Sequence, residues 1–514
     1  MKRAIVFLFL INMLFSCDDF LSRSPLVSLS PDNFFNNEEE CKLLVTSLYN
    51  PISYQDYTFL DEYTDDVYSA AQVGGSGQKF IQGDIQAFDS YSKNRWSKNY
   101  KAIGNANLAV NGISVSSISE GTRNRLVAEA KFFRAYYYYD LIALFGDVPL
   151  VLTDPSVSEN LCPARDTREK VFQQVIEDLN YAIQYLPVSY TGNDIGRVTK
   201  GAALAFKARV LLFFSEYEEA AKAAEACMEL GVYKLFPDFR GLFLEENEYN
   251  EEVIFDKGYL KDIMGSGRNT NIITQDMYLP TLSLANEFEM NTGKMVTEDG
   301  SNFDSQNPFK DRDSRLSSTI LLPGAIKDGL LNSDGSPVVF IPANDLSVTG
   351  MRLKKSADYT DNTNNNSGTN FIIIRYADVL LMYAEALNEI EGPTSSVYNA
   401  INQVRQRAHQ PVLTNGLTKE AMREKIRHER RVEFAGEGLR YFDIVRWKIA
   451  DVVFSNNLEG YDKQNLKNPS NPAEWKFTST NVLKTSWNAS KGYLWPIPGE
   501  ERLLNSNLTQ NEGY

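Results

Sequence analysis

The chain has 514 residues, of which 43% are hydrophobic and 12% aromatic, enough to bury a large core and to form more than one domain. A formal net charge of −15 argues against a nucleic-acid-binding protein, because phosphate binding depends on clustered lysine and arginine. Only two histidines occur, His409 and His428, which excludes multi-histidine metal sites and argues against histidine-based catalytic triads. No Walker loop, GxSxG elbow or GxGxxG motif occurs, so we expect no metal and no cofactor.

The N-terminus has the order of a secretory signal. Lys2 and Arg3 precede a largely apolar stretch, residues 4–15, which is too short to span a hydrocarbon core that requires about 20 residues. The sequence Leu14-Phe15-Ser16-Cys17 then resembles a bacterial lipobox, in which the cysteine becomes the new N-terminus and carries lipid. The alternative is an ordinary signal peptide followed by a chance cysteine.

Two acidic residues follow the lipobox directly. Asp18 and Asp19 resemble the acidic export tag of surface lipoproteins of Bacteroidetes. We therefore predict that residues 1–16 are a signal peptide, that Cys17 is lipidated, and that residues 17–30 tether the protein to the outer face of the outer membrane.

Three further cysteines have spacings that fit neither a disulfide framework nor a CxxC metal site. They are Cys41, Cys162 and Cys227. We predict that all three are small core residues.

The first third of the chain contains two strongly periodic segments. Apolar residues at steps of three or four from Leu126 to Leu144 predict an amphipathic helix that ends at Gly146. Asp166 and Glu169 are spaced as a capping pair for a second helix, which Pro187 ends.

Two later segments resemble tetratricopeptide repeats, which pair helices through small residues and stack into a solenoid. In the first, residues 199–230, Thr199 is placed to cap one helix and Tyr217 to open the next. The small packing positions in that register are Ala208, Ala220 and Cys227. The second segment, residues 376–408, is divided by a Gly392-Pro393 break.

Two long regions, residues 54–96 and 260–370, have no sustained period and mix aromatic residues with Gly, Asn, Asp and Ser. Long loops on a rigid scaffold concentrate binding residues, and aromatic faces together with polar groups suit a glycan platform. The alternative is that most of these rings pin the loops to the core. The Asn- and Asp-rich run at 358–366 lacks the spacing of an EF-hand loop, and we interpret it as a solvated loop.

The segment from Arg427 to Arg446 carries nine charged side chains within twenty residues. Glu429 and Glu433 share one helix face and could act as an acid and a base. The surrounding arginines would keep both carboxylates ionised, which favours structural ion pairs over a general acid that needs a raised pKa.

Several strings together resemble the SusD/RagB family of Bacteroidetes. They are RHERRVEFAGEGLRYFDIVRW from Arg427 to Trp447, YLWPIP from Tyr493, NLTQNEGY from Asn507, Trp96 with Tyr100, the Glu129–Tyr136 segment, and LFGDVP from Leu144. The resemblance covers essentially the whole mature chain. Ser506 and Glu512 stand where the family usually has proline, which affects only the turns of the tail.

The resemblance implies a mainly α fold, with four tetratricopeptide-like helix pairs on one side, a loop-rich ligand face on the other, and minor β-structure. We expect residues 31–514 to form a single unit with an N-terminal part, 31–250, and a C-terminal part, 251–514. Members of the family sit as lids on a SusC-like TonB-dependent transporter in the outer membrane and capture oligosaccharides, whereas the RagB branch takes peptides.

Three hypotheses of function follow. The first is a non-catalytic lipoprotein that binds an oligosaccharide and delivers it to such a transporter. The second is a peptide-binding subunit on the same fold, and the third is an all-helical glycosidase or lyase.

The resemblance also places the sugar platform between an early acidic motif, here Asp65-Asp66, and the helix of Trp96, which we predict to be a core residue. Within that loop we expect four aromatic residues to face solvent and Asp66 to meet sugar hydroxyls. The candidate ligand-binding residues are Asp66, Tyr68, Phe80, Phe88 and Tyr91, with Tyr278 and Tyr359 added from the second loop region.

Overall fold

The computed structural model describes residues 35, 37–69, 76–153, 161–275, 277–361, 364–466 and 474–514. The predicted signal peptide, the lipidation site Cys17 and the tether lie outside these residues. Helices dominate the described part and the strands are short antiparallel pairs, which confirms the mainly α fold class. No helix among the described residues is both long and apolar enough to cross a membrane.

The secondary-structure elements are numbered in chain order. The helices are α1 Glu38–Ser47, α2 Gln55–Asp61, α3 Ser76–Ile81, α4 Ser90–Ser114, α5 Glu120–Phe145, α6 Arg168–Tyr185, α7 Lys200–Phe213, α8 Tyr217–Glu229, α9 Arg268–Thr274, α10 Leu282–Glu287, α11 Ser314–Thr319, α12 Tyr376–Glu391, α13 Ser395–Arg407, α14 Lys419–Glu433, α15 Arg440–Trp447, α16 Ala450–Val453 and α17 Gly499–Leu504. The strands are β1 Val67–Tyr68, β2 Val253–Lys257, β3 Leu279–Pro280, β4 Ile320–Leu321, β5 Ile326–Leu331, β6 Pro337–Val339, β7 Arg352–Leu353, β8 Phe371–Arg375, β9 Leu458–Tyr461 and β10 Ser479–Leu483. The pairs are β1–β3, β2–β8, β4–β7, β5–β6 and β9–β10.

Eight helices form a continuous scaffold in which each helix packs on the next. They are α4 to α8 followed by α12, α13 and α14. Since the chain between α8 and α12 leaves this scaffold and returns, residues 230–375 supply most of the loops and short strands. The two segments with tetratricopeptide-like spacing form the packed pairs α7–α8 and α12–α13 of this scaffold.

The helix boundaries follow from capping chemistry. Thr199 caps α7 by accepting a hydrogen bond from the Ala202 amide, and Gly146 ends α5 at a φ of +76°, as expected. The prediction of an Asp166 cap is wrong, because Thr167 accepts the hydrogen bond from the Lys170 amide and serves as the cap of α6.

Small residues lie where the scaffold helices touch. Ala208, Ala220 and Cys227 are fully buried, as the repeat register predicted, and Cys41 is also a core residue. The prediction for Cys162 is wrong, because this thiol is exposed in the segment that precedes α6.

A buried ion-pair network ties the C-terminal part together, and we call it the Glu433 network. Glu433 contacts the guanidinium groups of Arg315, Arg375 and Arg407, while Glu429 pairs with Arg315 at 2.6 Å. Burial by itself raises the pKa of Glu433, but these arginines outweigh it and hold that pKa well below its usual value. The prediction of structural ion pairs at Glu429 and Glu433 is confirmed.

Candidate ligand-binding face

The two loop regions singled out in the sequence meet at one short strand pair. In β1–β3, Val67 pairs with Pro280 and Tyr68 with Leu279. Just beyond this pair, the Thr281 amide donates to the Asp66 carbonyl at 2.9 Å. These contacts join residues that lie more than 200 positions apart in the chain. We call the surface around β1–β3 the loop face.

The early acidic motif is a buried structural anchor of this face. Arg431 contacts Asp65 at 2.7 Å and Asp66 at 2.8 Å, and Arg440 contacts Asp65 at 3.0 Å. Burial raises the pKa of both carboxyls, but the two arginines outweigh it at Asp65, whose pKa is lowered, while that of Asp66 stays raised. Asp66 is almost fully buried, so the expectation that it faces sugar hydroxyls is wrong.

Two aromatic candidates from the second loop region lie beneath the loop face and do not stand on it. Tyr278 and Tyr359 are both buried in one apolar cluster with Val67 and Phe340. The Tyr278 hydroxyl accepts a hydrogen bond from the Thr58 hydroxyl at 3.1 Å, so its polar end is satisfied inside the protein. Neither ring is available as an open stacking surface.

Phe80 and Tyr91 belong to a second aromatic cluster, inside the main core. Their rings surround Tyr63, at centroid distances of 5.2 Å for Phe80 and 5.6 Å for Tyr91. Tyr63 in turn stacks on Trp495 at 5.4 Å, so the family string near the C-terminus packs against the first loop. Phe80 is buried, so the expectation that it faces solvent is wrong, whereas Tyr91 is half-buried and packs against the core with part of its surface exposed.

The remaining two candidates differ from each other. Phe88 is 63% exposed and lies against Gly499, at the start of α17, outside the cavity described next. Tyr68 is half-buried on β1 and stays at the loop face. Trp96 is buried, as predicted.

A cavity of about 320 Å³ lies beside α9 and β5, next to the apolar cluster under the loop face, and we call it the Tyr359 pocket. It is lined by polar side chains of Thr270, Thr274, Gln275, Thr360, Asp361 and Asn364, and by Ile273, Leu330 and Tyr359. The Tyr359 hydroxyl is buried and has no hydrogen-bond partner among the described residues. Burial raises the pKa of this hydroxyl, so it keeps its proton and can donate a hydrogen bond to a ligand.

The rim of the pocket is held by side chains that bond to backbone groups. The side-chain amide of Asn269 donates to the backbone carbonyls of Asp358 and Asp361 at 2.9 and 2.8 Å. The Thr270 hydroxyl accepts from the backbone N–H of Asn365 at 2.9 Å. Thr360, Asp361 and Asn364, from a run that we interpreted only as a solvated loop, therefore line a cavity. The density of Asn, Asp and Thr in that run beside Tyr359 was the signal that sequence reasoning missed.

Asp361 is the one carboxylate among the lining residues of the Tyr359 pocket that the structure describes. The hydroxyl, amide and carboxylate groups of this pocket can donate and accept hydrogen bonds.

A second cavity flanks β1–β3 on the side of the acidic motif and has a volume of about 460 Å³. Its lining includes six charged side chains, among them Glu287, Arg427 and Arg440, together with His428 and the half-buried ring of Trp447. We call it the Trp447 cleft. Among the described residues, no group of three or more His, Cys, Asp or Glu side chains is arranged to hold a metal ion in either cavity or elsewhere.

The fold is a helical-repeat scaffold whose loops surround cavities, an arrangement suited to binding. Comparisons with known proteins identify the family to which it belongs. The family model described as SusD family matches residues 251–514, and a model described as starch-binding, associating with outer membrane, matches residues 19–212. The chain belongs to the SusD/RagB family.

Individual relatives agree over their full length. The SusD-like protein P2 of Formosa agariphila is 28% identical over all of this chain and all of that protein. A crystal structure of a SusD-like protein from Bacteroides fragilis matches with a TM-score of 0.83 at 29% identity, over 96% of this chain and 100% of that one. A SusD-like carbohydrate binding protein from the same species also gives a TM-score of 0.83, at 28% identity, over 93% of this chain and 100% of that one.

Proposed function

We propose that this protein captures an oligosaccharide in the Tyr359 pocket and passes it to a SusC-like TonB-dependent transporter. The observation that carries the proposal is a buried tyrosine hydroxyl that has no hydrogen-bond partner among the described residues, in a cavity whose described lining also offers hydroxyls, side-chain amides and one carboxylate. Membership of a family with a carbohydrate-binding relative supports the same ligand class.

The chemistry of the pocket matches a sugar ring. Hydroxyl and amide groups donate and accept hydrogen bonds, which suits the many hydroxyls of a glycan. Ile273 and Leu330 offer apolar contact to the C–H faces of a pyranose, and the Tyr359 hydroxyl gains a partner when the sugar binds. Half-buried Tyr68 remains a proposed contact at the edge of the loop face.

The second candidate function is peptide capture, and the Trp447 cleft is the observation that favours it. Its arginines and carboxylates resemble the charged lining expected for a peptide ligand. Arg431 and Arg440 are already paired with Asp65 and Asp66, however, which leaves less of that charge for a ligand.

We also propose that binding is not followed by chemistry. The carboxylate pair most easily taken for an acid and a base, Glu429 and Glu433, is sealed inside the Glu433 network with ionised arginines. Purified protein incubated with oligosaccharides should therefore release no shorter product by mass spectrometry. Release of product would revive the glycosidase or lyase hypothesis.

Anchoring and partnership complete the proposal. Cys17→Ser should release unlipidated protein from the membrane, and a variant that stays membrane-bound and carries labelled fatty acid would contradict lipidation at Cys17. Wild-type protein extracted in mild detergent at low salt should co-purify with a large outer-membrane transporter. Recovery of this chain alone would count against delivery to a transporter.

The direct test of the pocket is a pair of matched double variants. Gln275→Ala/Asn364→Ala removes two exposed amides from the rim, and Gln406→Ala/Asn415→Ala removes the same two groups from exposed positions on and after α13. A glycan array first selects the oligosaccharide, and calorimetry then measures its affinity. We expect at least about a tenfold loss for the rim variant, equivalent to roughly 1.4 kcal/mol, and none for the control. Equal affinities of both variants and wild type would contradict the assignment of the pocket.

A further inference from the structure

A third cavity lies on the helical scaffold, in a region that the proposed function does not use. It has a volume of about 220 Å³ and opens between the α6–α7 connection and the segment that leads into β2. We call it the Tyr249 pocket. The lining residues that matter here are Ser189, Tyr190, Gly196, Tyr249, Asn250 and Asp256.

Tyr249 is held in a conformation that a bulky residue rarely adopts. Its φ is +56°, in the left-handed region, and its side chain is 51% exposed. The ring lies over Gly196, where an added Cβ would stand 3.4 Å from Cε1 of Tyr249. Gly196 itself has a φ of +91°, so glycine lets the backbone pass under the ring. A strained residue that presents an open aromatic ring above a cavity is typical of a binding position.

The floor of this cavity supplies hydrogen-bonding groups. Asp256 is nearly fully buried, and its carboxylate accepts from the Asn370 amide at 2.9 Å. The Asn370 carbonyl oxygen accepts from the Tyr259 amide at 2.8 Å, which fixes the orientation of the Asn370 side chain. Ser189 adds a hydroxyl to the lining, and the ring of Tyr190 also lines the cavity while its hydroxyl is directed to Glu129 at 3.5 Å. An exposed ring above a carboxylate and a hydroxyl is a combination that recognises a pyranose.

We infer that the Tyr249 pocket is a second carbohydrate-binding site, which takes one or two neutral sugar units by stacking on Tyr249. The choice of ligand class rests on the proposed function, whereas the position of the site does not. A site on the scaffold would hold a long glycan at a second point while the Tyr359 pocket holds its end, and two contacts on one chain raise the effective affinity.

The test uses full-length lipid-free protein in which the first site is already disabled. Maltoheptaose, laminarihexaose and xylohexaose are titrated into Gln275→Ala/Asn364→Ala, and then into the same variant with Tyr249→Gly or Tyr249→Phe. Glycine removes the ring and also accepts a positive φ, so this variant should melt no lower than its parent. Phenylalanine keeps the ring and serves as the matched control.

We expect one of these oligosaccharides to bind the disabled variant, Tyr249→Gly to weaken that remaining binding at least about tenfold, and Tyr249→Phe to leave it within about threefold. Remaining binding that Tyr249→Gly does not change would overturn the second site and leave the proposed function intact. Complete loss of binding in Gln275→Ala/Asn364→Ala would also overturn the second site while supporting the Tyr359 pocket. Wild-type protein that binds none of the three would overturn both.

Discussion

The Glu433 network and the Tyr359 pocket use similar polar side chains in opposite ways. In the network, Arg315 and Arg375 lie at 2.6–2.8 Å from carboxylates, and each charge is buried with its partners. In the pocket, a buried hydroxyl on Tyr359 has no partner among the described residues, and exposed amides surround an open cavity. Polar groups that are already satisfied hold a fold together, whereas unsatisfied ones beside a cavity remain available to a ligand.

Breaking the network should produce the largest change in stability. Glu433→Gln removes a charge that faces Arg315, Arg375 and Arg407, so we expect the free energy of unfolding to fall by about 3–5 kcal/mol. Denaturant titration measures this loss. The control Glu424→Gln changes a side chain that is 70% exposed and has one ion pair at 3.5 Å, and should stay within about 0.5 kcal/mol of wild type. Equal stability of the two variants would contradict a structural network.

Removing a ring from the aromatic cluster should cost less stability and leave binding unchanged. Phe80→Ala deletes a buried ring that contacts Tyr63, Tyr441 and Trp487, and we expect it to lower the free energy of unfolding by about 3 kcal/mol. Calorimetry below the melting transition should give wild-type affinity for the oligosaccharide. A weakened affinity with unchanged stability would return Phe80 to the ligand site.

Glu62 is a buried carboxylate that contrasts with Glu433, because no arginine is among the causes of its pKa shift. Burial raises the pKa of Glu62 from 4.5 to about 8, whereas the arginines keep that of Glu433 low. Between about pH 4.5 and pH 8, Glu62 is protonated in the folded state and ionised in the unfolded state. The free energy of unfolding should therefore fall as pH rises through this range, by at most about 1.4 kcal/mol per pH unit from Glu62.

The pH slope is measured as the difference between wild type and Glu62→Gln. We expect the variant to lose this slope and to become more stable than wild type near pH 8. The exposed Glu246→Gln is the control and should keep the wild-type slope. Parallel curves for Glu62→Gln and wild type would show that Glu62 ionises normally in the folded protein.

The smallest expected effects are those of Tyr359→Phe. They distinguish a ligand-binding hydroxyl from a structural one, because stability and ligand affinity should not fall together. Tyr359→Phe removes a buried hydroxyl that has no partner among the residues the structure describes, so the free energy of unfolding should stay equal or rise by up to about 1 kcal/mol. Affinity for the oligosaccharide should nevertheless fall about five- to tenfold, because a hydrogen bond to the sugar is lost. A variant that is less stable and binds normally would assign the hydroxyl a structural role.

The scaffold was predictable from the sequence because its signals are local. Apolar steps of three or four, the Thr199 cap and the glycine ends fix each helix within a few residues along the chain. The ion pairing of Glu433 was also predictable in kind, since a carboxylate among so many arginines stays ionised. Its partner Arg315 was not, because 118 residues separate the two along the chain.

The ligand face was predicted in its general region but not in its residues. Aromatic content could not distinguish a ring that pins a loop, such as Phe80, from a ring that faces a ligand, because burial depends on contacts with distant residues such as Trp487. Tyr359 was chosen as a stacking ring, yet the structure shows that its ring is buried and that its hydroxyl has no hydrogen-bond partner among the described residues. The pairing of β1 with β3, which unites the two loop regions, has no signal in two-residue strands.

The most direct test of the central claim is a crystal structure of the protein with the oligosaccharide that the glycan array selects. We expect electron density for a sugar ring in the Tyr359 pocket, with the Tyr359 hydroxyl within hydrogen-bond distance of a sugar oxygen and with Gln275 or Asn364 on its rim. Density confined to the Trp447 cleft, with the Tyr359 pocket empty, would contradict the account.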